Sequence, residues 1–442
     1  MKKVLSSLLL LFVASFSFGQ NAKEQAEALV KNGSIRFQSE NGDVKLRMGT
    51  RFSFDGAYYF DDVSDLKSGT KIGEARIRLY GTFYKNFDAK FDLDFKGGKV
   101  AFKDIYTRYH LNNNSFLKIG HYTEPFSAQA LTSTGDIRFI GRPMSVQAFA
   151  PGRHLGISYR YYGNLLWFEG GLFGDDVYGN TKGDDGYAIT SRLVLRPVLS
   201  DGFNLHIGGS ATYRTAGALG FEGGDDDYNR AIEYQAKSES TVDGTHFLDT
   251  KIKHAKDQFK YNAELLVTFR NFSFMGEYTG AQVSREYDYQ KAFEEQLGGQ
   301  YSWVKIDNFK KWMGNYRNLN FSGFYAQLGW LITGGDYKYD AVNGLIAKPA
   351  PGSLELVGRY NYTNLDDVDG LYFNGKFYDD IGLGKPNNSV SGGVAKSAGL
   401  AVNYYWKPNI RFMLDYNYMN LTSHKYLDKN ISMVQARMQI GF

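Results

Sequence analysis

Cysteine is absent from the 442 residues, and proline occurs only 8 times. Without cysteine there is no disulfide scaffold, thiolate metal site, thiol nucleophile or lipoprotein anchor. Charge of one sign is lacking too. Against 51 Lys and Arg stand 47 Asp and Glu, a formal net charge of +4, too balanced for bulk-charge binding of nucleic acid. None of the 7 histidines lies in a recognisable nucleophile motif, so no enzyme is expected. No cofactor is implied either. The acids at Asp225–Asp227 and at Asp366, Asp367 and Asp369 read as solvated loop acids ahead of a Ca²⁺ site. A mean hydropathy of −0.40 excludes a helical membrane protein. What is abundant is 50 Gly, 33 Tyr and 33 Phe, a composition of many strands and tight turns.

One long apolar run exists, at the start. Lys2 and Lys3 precede Val4–Phe18, and Ser17 and Gly19 are small residues before Gln20. This is the pattern of an export signal over residues 1–19, too short for a spanning helix of about 20 residues. Residues 20–42 form a periplasmic leader, in which Gln20–Lys31 reads as a short helix ended at Asn32-Gly33.

From Asp43 the apolar period is two. Val44, Leu46, Met48, Phe52 and Phe54 alternate with Lys45, Arg47, Arg51 and Asp55. Successive side chains of a strand point to opposite faces, so one face is apolar and the other charged. Sixteen such segments run from 43–60 and 70–84 to 408–420 and 431–442. Many exceed the usual strand length of about 5–6 residues and match the roughly 9–11 needed to cross a bilayer at a tilt. Aromatic clusters such as Tyr58-Tyr59-Phe60 and Tyr404-Tyr405-Trp406 sit at segment ends, as suits a membrane–water boundary. The expected fold is all-β: a transmembrane antiparallel barrel of about sixteen strands over 43–442, in contact with outer-membrane lipid.

Connections alternate between short and long, as periplasmic turns and extracellular loops do. Two break the parity. Gly97–Lys99 is short where a loop is expected, and Gly335–Pro351 is long where a turn is expected. A missed or split strand would account for either. The last segment alternates Val434, Ala436, Met438 and Ile440 and closes on Phe442, which resembles the signal read by the outer-membrane assembly machinery.

A barrel of sixteen strands is too wide for its own side chains to fill. The charged face then borders water. Its basic residues Lys45, Arg47, Arg51, Arg76, Arg78, Arg108 and Lys118 form a candidate pore wall, with acids such as Glu74, Asp88, Asp92 and Asp104 interleaved. The loop 123–152 is rich in Gly, Pro and apolar residues such as Phe126, Ile140 and Phe149, and so is expected to fold into the lumen. Arg138, Arg142 and the closing Arg153 are candidates for the constriction, because a guanidinium keeps its charge and its fork matches carboxylate or phosphate. A general or sugar-permeable pore and a non-conducting scaffold remain alternatives; 215–257 and 287–319 are long enough to face partners.

From residue 120 onward the chain resembles the phosphate-selective porin O/P family. The resemblance rests on Pro125-Phe126, Thr132-Ser133, Arg142 and Phe149-Ala150-Pro151-Gly152-Arg153; on Thr333-Gly334, Tyr339-Asp340, Glu355-Leu356 and Arg359-Tyr360; and on Asn403, Tyr405, Pro408, Asn409 and Arg411. It implies a sixteen-stranded outer-membrane barrel, usually a homotrimer, with the third loop folded inside and Arg142 and Arg153 as its loop arginines. The channel would favour small anions such as phosphate. The sequence departs from the family pattern at Gly141, where an acid is usual, at Gly335, with Asp336 one residue late for the acid, and at Leu354, where an aromatic is usual. Deleting Phe442 should reduce the amount of barrel inserted while survivors keep wild-type single-channel conductance; a normal yield would exclude an assembly role.

Overall fold

The computed structural model describes residues 27–31, 34–60, 66–174, 185–217, 230–290, 293–294, 305–314, 316–369, 371–373, 376–378, 388–422 and 428–441. The export signal and Phe442 lie outside these residues.

Sixteen strands form the wall. They are β1 (Val44–Phe60), β2 (Gly69–Phe83), β3 (Phe87–Asp94), β4 (Ala101–Asn112), β5 (Ser115–Thr123), β6 (Arg153–Tyr162), β7 (Leu166–Phe173) and β8 (Ala188–Ser200). Then come β9 (Phe203–Thr215), β10 (Ala255–Phe269), β11 (Phe272–Arg285), β12 (Leu319–Thr333), β13 (Ser353–Asp367), β14 (Val390–Lys407), β15 (Ile410–Thr422) and β16 (Lys429–Gly441). Each pairs antiparallel with the next. The wall closes where β16 pairs with β1, from Ser432 opposite Phe60 to Gly441 opposite Arg51. From Arg51 to Phe60 closure leaves β1 no open edge, the condition for strands in hydrocarbon.

The period of two sorts the side chains as expected. Along β1, Arg51, Ser53, Asp55 and Tyr59 are buried inside, while Phe54, Tyr58 and Phe60 are exposed outside. Along β15, Arg411, Asp415 and Asn417 face in, while Phe412, Leu414, Tyr416 and Tyr418 face out. The outer surface is thus an apolar, aromatic band for lipid.

The N-terminal leader differs from the expected helix. Residues 20–26 lie outside the described part, but Glu27–Lys31 is a strand paired with Ser34–Gln38. Ser34–Gln38 pairs in turn with β1 from Met48 to Lys45, just past the point where β16 ends. The hairpin continues the sheet along an edge that would otherwise stay unpaired, and this overrides a weak helical face.

No strand is missing at the two breaks of parity. Lys96–Gly98 is a single 3₁₀ turn in which Gly97 and Gly98 take φ of 69° and 73°, a region open to glycine. Residues 335–351 hold only a two-residue ladder, Tyr339–Asp340 with Leu345–Ile346. This segment folds into the barrel from the turn end. In detergent the folded protein should show a β-rich circular dichroism spectrum and a mobility that changes on heating; a helical spectrum would contradict this wall.

Candidate functional site: an off-centre passage

The loop after β5 turns inward because its apolar side chains have no place in water. Phe126, Phe139, Ile140, Met144 and Phe149 are all at most 1% exposed. Two short helices shape it. In α1 (Ala128–Leu131) the Ser127 hydroxyl accepts from the Ala130 amide at 3.1 Å. In α2 (Met144–Phe149) Pro143 sets the entry. A buried loop carries backbone groups that need partners, and inward side chains of distant strands supply them. Ala128 and Gln129 amides donate to Glu264 and Glu277, at 3.0 and 2.7 Å. The Ile140 amide donates to Asp415 at 2.8 Å, and Ser145 donates to Asn361. Arg411 donates to the Ile137 carbonyl at 2.7 Å. The loop is held against β10, β11, β13 and β15.

Two further segments fill the lumen. A hairpin (Ala231–Lys237 with His246–Lys253) enters from the loop end. At its tip Glu239 pairs with Arg359 at 2.7 Å and accepts from the Met144 amide at 3.1 Å. Ser240 and Thr241 reach the far wall at Tyr59 (2.7 Å) and Asp55 (2.6 Å). Gly141 permits this crossing, since a Cβ there would stand 1.9 Å from the Glu239 carbonyl oxygen. From the turn end, carbonyls of Ala341, Val342 and Gly344 accept from Arg196 (2.6 Å), Trp167 (3.0 Å) and Arg192 (2.9 Å).

What stays open is a cavity of about 960 Å³ between the inner loop and β2–β6. Twelve basic and six acidic side chains line it. Three of these acids, Glu74, Asp92 and Asp104, each serve more than one cation. Asp92 lies 2.7 Å from Arg76 and 3.8 Å from both Arg78 and Lys90. Asp104 lies 2.5 Å from Lys90 and 2.7 Å from Arg153. Beneath the lining, Asp88 holds Arg108 at 2.9 Å, and Glu169 holds Lys118 at 2.7 Å and Arg160. Nε and Nη2 of Arg78 are buried and have no hydrogen-bond acceptor among the described residues.

The candidate residues separate into two groups. Arg142 and Arg153 come together on the loop side of the passage, facing Arg76, Arg78, Arg108 and Lys118 on the wall. Arg142 donates to the carbonyls of Gln129 and, at 2.6 Å, of Thr132. Burial, and then the neighbouring Arg153 charge, lowers its guanidinium to about 10, still cationic at neutral pH. Arg138 is elsewhere. It is 4% exposed and paired with Glu355 at 2.7 Å, an anchor of the loop on β13. Arg51 is also an anchor, bound to Glu74 at 2.6 Å and donating to Ser133 and Thr134. Lys45 and Arg47 are exposed at the turn end, Arg47 over the Tyr80 ring at 4.2 Å, and neither lines the passage. Arg160, which lines it, was readable from alternation along β6 but lies beyond the strands first considered.

A family model described as phosphate-selective porin O and P matches residues 44–442. An uncharacterised protein of Caulobacter vibrioides is 22% identical over 397 residues, covering 85% of this chain and 68% of that one. Among solved structures, a loop-deletion mutant of the Vibrio cholerae outer membrane protein OmpT aligns with a TM-score of 0.53 at 10% identity, over 90% of this chain and 100% of that chain. An anion-selective porin from Comamonas acidovorans aligns at 0.50 and 11% identity, over 90% and 100%. The trimer form of the Vibrio cholerae protein aligns at 0.51 and 10%, over 90% and 99%. These structures share the fold.

Arg138→Ala should release the inner loop. Breaking a buried ion pair costs about 3–5 kcal/mol, and the low end applies, because Tyr337, Asn403 and Tyr405 still donate to Glu355. A lower unfolding temperature and a larger single-channel conductance are expected; if both stay at wild-type values, Arg138 is no anchor.

Proposed function

The chain belongs to the phosphate-selective porin O and P family, a bacterial outer-membrane porin by family and fold, and from that premise we propose that its passage favours anions such as phosphate. The observation that carries this is the excess of cations lining the cavity, twelve against six acids. Shared carboxylates leave part of each positive field unneutralised. In a narrow, partly desolvated passage such charges act more strongly than in bulk water. Arg142 and Arg153 from the loop and Arg78 from the wall line the same cavity, so an oxyanion there meets cations from both. Family and fold indicate a channel rather than an enzyme. Assembly as a homotrimer belongs to the proposal, on the family's architecture and the trimer form of the Vibrio cholerae neighbour.

Tyr80, Tyr106 and Tyr122 in the same lining favour a second reading, a general or sugar-permeable pore, because aromatic rings can carry sugar faces. Planar-bilayer measurements separate the two. Reversal potential in asymmetric salt should show anion preference, stronger at low salt where screening is weaker. Arg142→Ala with Arg153→Ala should move it toward cations and relieve any block of chloride current by phosphate. Loss of preference on replacing Arg76 and Arg78, with none on replacing Arg142 and Arg153, would place the filter on the wall. A wild-type channel without ion preference would favour the general pore.

A further inference from the structure

Glu239, at the tip of the inserted hairpin, stands where its residue type is least at ease. Its φ is 55°, in the left-handed region that glycine adopts freely and a larger residue adopts under strain. Its side chain is an acid, yet it is only 1% exposed. A carboxylate buried on a strained backbone is unfavourable unless its partners require it. They are several. Oε2 accepts from Arg359 at 2.7 Å, and Oε1 accepts from the Met144 amide at 3.1 Å and the Ser397 hydroxyl at 3.0 Å. The Glu239 carbonyl accepts from Gln435 at 3.1 Å.

These contacts converge on one stretch of the inner loop. Arg359, paired with Glu239, donates to the Gly141 carbonyl at 2.9 Å. Glu239 itself takes the Met144 amide, and Arg142 lies between these two points in the chain. One carboxylate thus fixes the backbone before and after Arg142. The hairpin adds a further tie. The Lys237 amide donates to the Gln147 side chain at 3.1 Å, and Gln147 donates to the Arg142 carbonyl at 2.7 Å. Gly141, Arg142 and Gln147 line the passage, whereas Glu239 lies behind them and does not.

We propose that Glu239 is a positioning residue for the passage: from the connection between β9 and β10 it clamps the chain on both sides of Arg142 and so sets where that guanidinium stands. The Arg142 side chain ends on two carbonyls of its own loop, those of Gln129 and Thr132. Its place is therefore decided by how the loop backbone is held. Selectivity then depends on an acid that a permeating ion never meets. The inference rests on the reading that Arg142 favours anions.

The sign of the effect tests this. Loss of a carboxylate by itself leaves the lumen more positive and raises anion preference. Glu239→Gly, which suits the backbone of the tip, should instead lower it, because Arg142 loses its place. Gly141→Ala leaves every charge intact but pushes the tip away, since its Cβ would meet the Glu239 carbonyl oxygen at 1.9 Å. It should move the reversal potential in asymmetric salt toward cations too, and it carries the test if Glu239→Gly does not insert. With Arg142 already replaced by Ala, neither variant should move the potential toward cations. Hydrogen exchange on the folded full-length barrel in detergent reads the clamp directly. The Met144 amide should exchange about tenfold faster or more in Glu239→Gly, as for loss of a hydrogen bond to a charged group. Glu239→Gln, which keeps an acceptor, should stay near the wild-type rate. An unchanged or raised anion preference in either Glu239→Gly or Gly141→Ala overturns the proposal, and so does an equal fall with and without Arg142. A wild-type channel without ion preference removes the anion reading instead. The Met144 rate then decides whether Glu239 holds this segment, and a wild-type rate in Glu239→Gly shows that it does not.

Discussion

In hydrocarbon a backbone N–H or C=O without a partner costs several kcal/mol, and the closure of β16 on β1 meets that demand around the whole wall. The same demand then reappears inside. A sixteen-stranded wall is too wide to fill itself, and the segments that enter it bring their own amides and carbonyls. Those groups are met by side chains that the strand period points inward. Asp415 takes the Ile140 amide, Glu264 and Glu277 take the start of α1, and Arg192 and Arg196 take carbonyls of the 335–351 segment. Interior charge is therefore first a device for holding inserted backbone.

This division explains why the passage is off-centre. Over β8–β16 the inward polar groups face inserted segments and are nearly all buried. Toward the loop end of β11–β16 they give way to Val283, Phe321, Leu365, Met419 and Met433, which pack with Phe149 and the hairpin's Tyr234 and Phe247. Along β2–β6 the inserted chain touches the wall at few points, Thr134 on Glu74 and Arg76 and residues 342–343 on Arg160, and a cavity stays open. There acids and bases pair across neighbouring strands, and the Asp92 and Asp104 carboxylates are each divided between two or three cations. The result is a water-facing wall that is stable without being neutral.

Much of this was legible in the sequence. All sixteen strands could be read because a lipid-facing residue at every second position is imposed by the solvent on the two sides, and the turn lengths marked 335–351 as unusual. The inward fold of the 123–152 loop followed from its apolar content. Its charges were harder. Arg142 and Arg153 do face the passage, but nothing local distinguishes them from Arg138, whose partner Glu355 is 217 residues away. The same holds for Arg51, bound to the loop it was expected to face across water. The leader was misjudged because pairing with a free strand edge outweighs a weak periodicity over a dozen residues.

The anchors of the inner loop have a consequence for the order in which the molecule forms. Ile140 waits for Asp415, 275 residues later in the chain, and the Gly135 carbonyl waits for Arg411 and Gln439. Contacts so distant along the chain are slow to form, because the intervening chain must first be ordered. The loop therefore reaches its final seat only when the last two strands arrive, in the same step that completes the cylinder. Sealing of the wall and narrowing of the lumen are one event, so an unfinished barrel has neither a finished edge nor a seated inner loop.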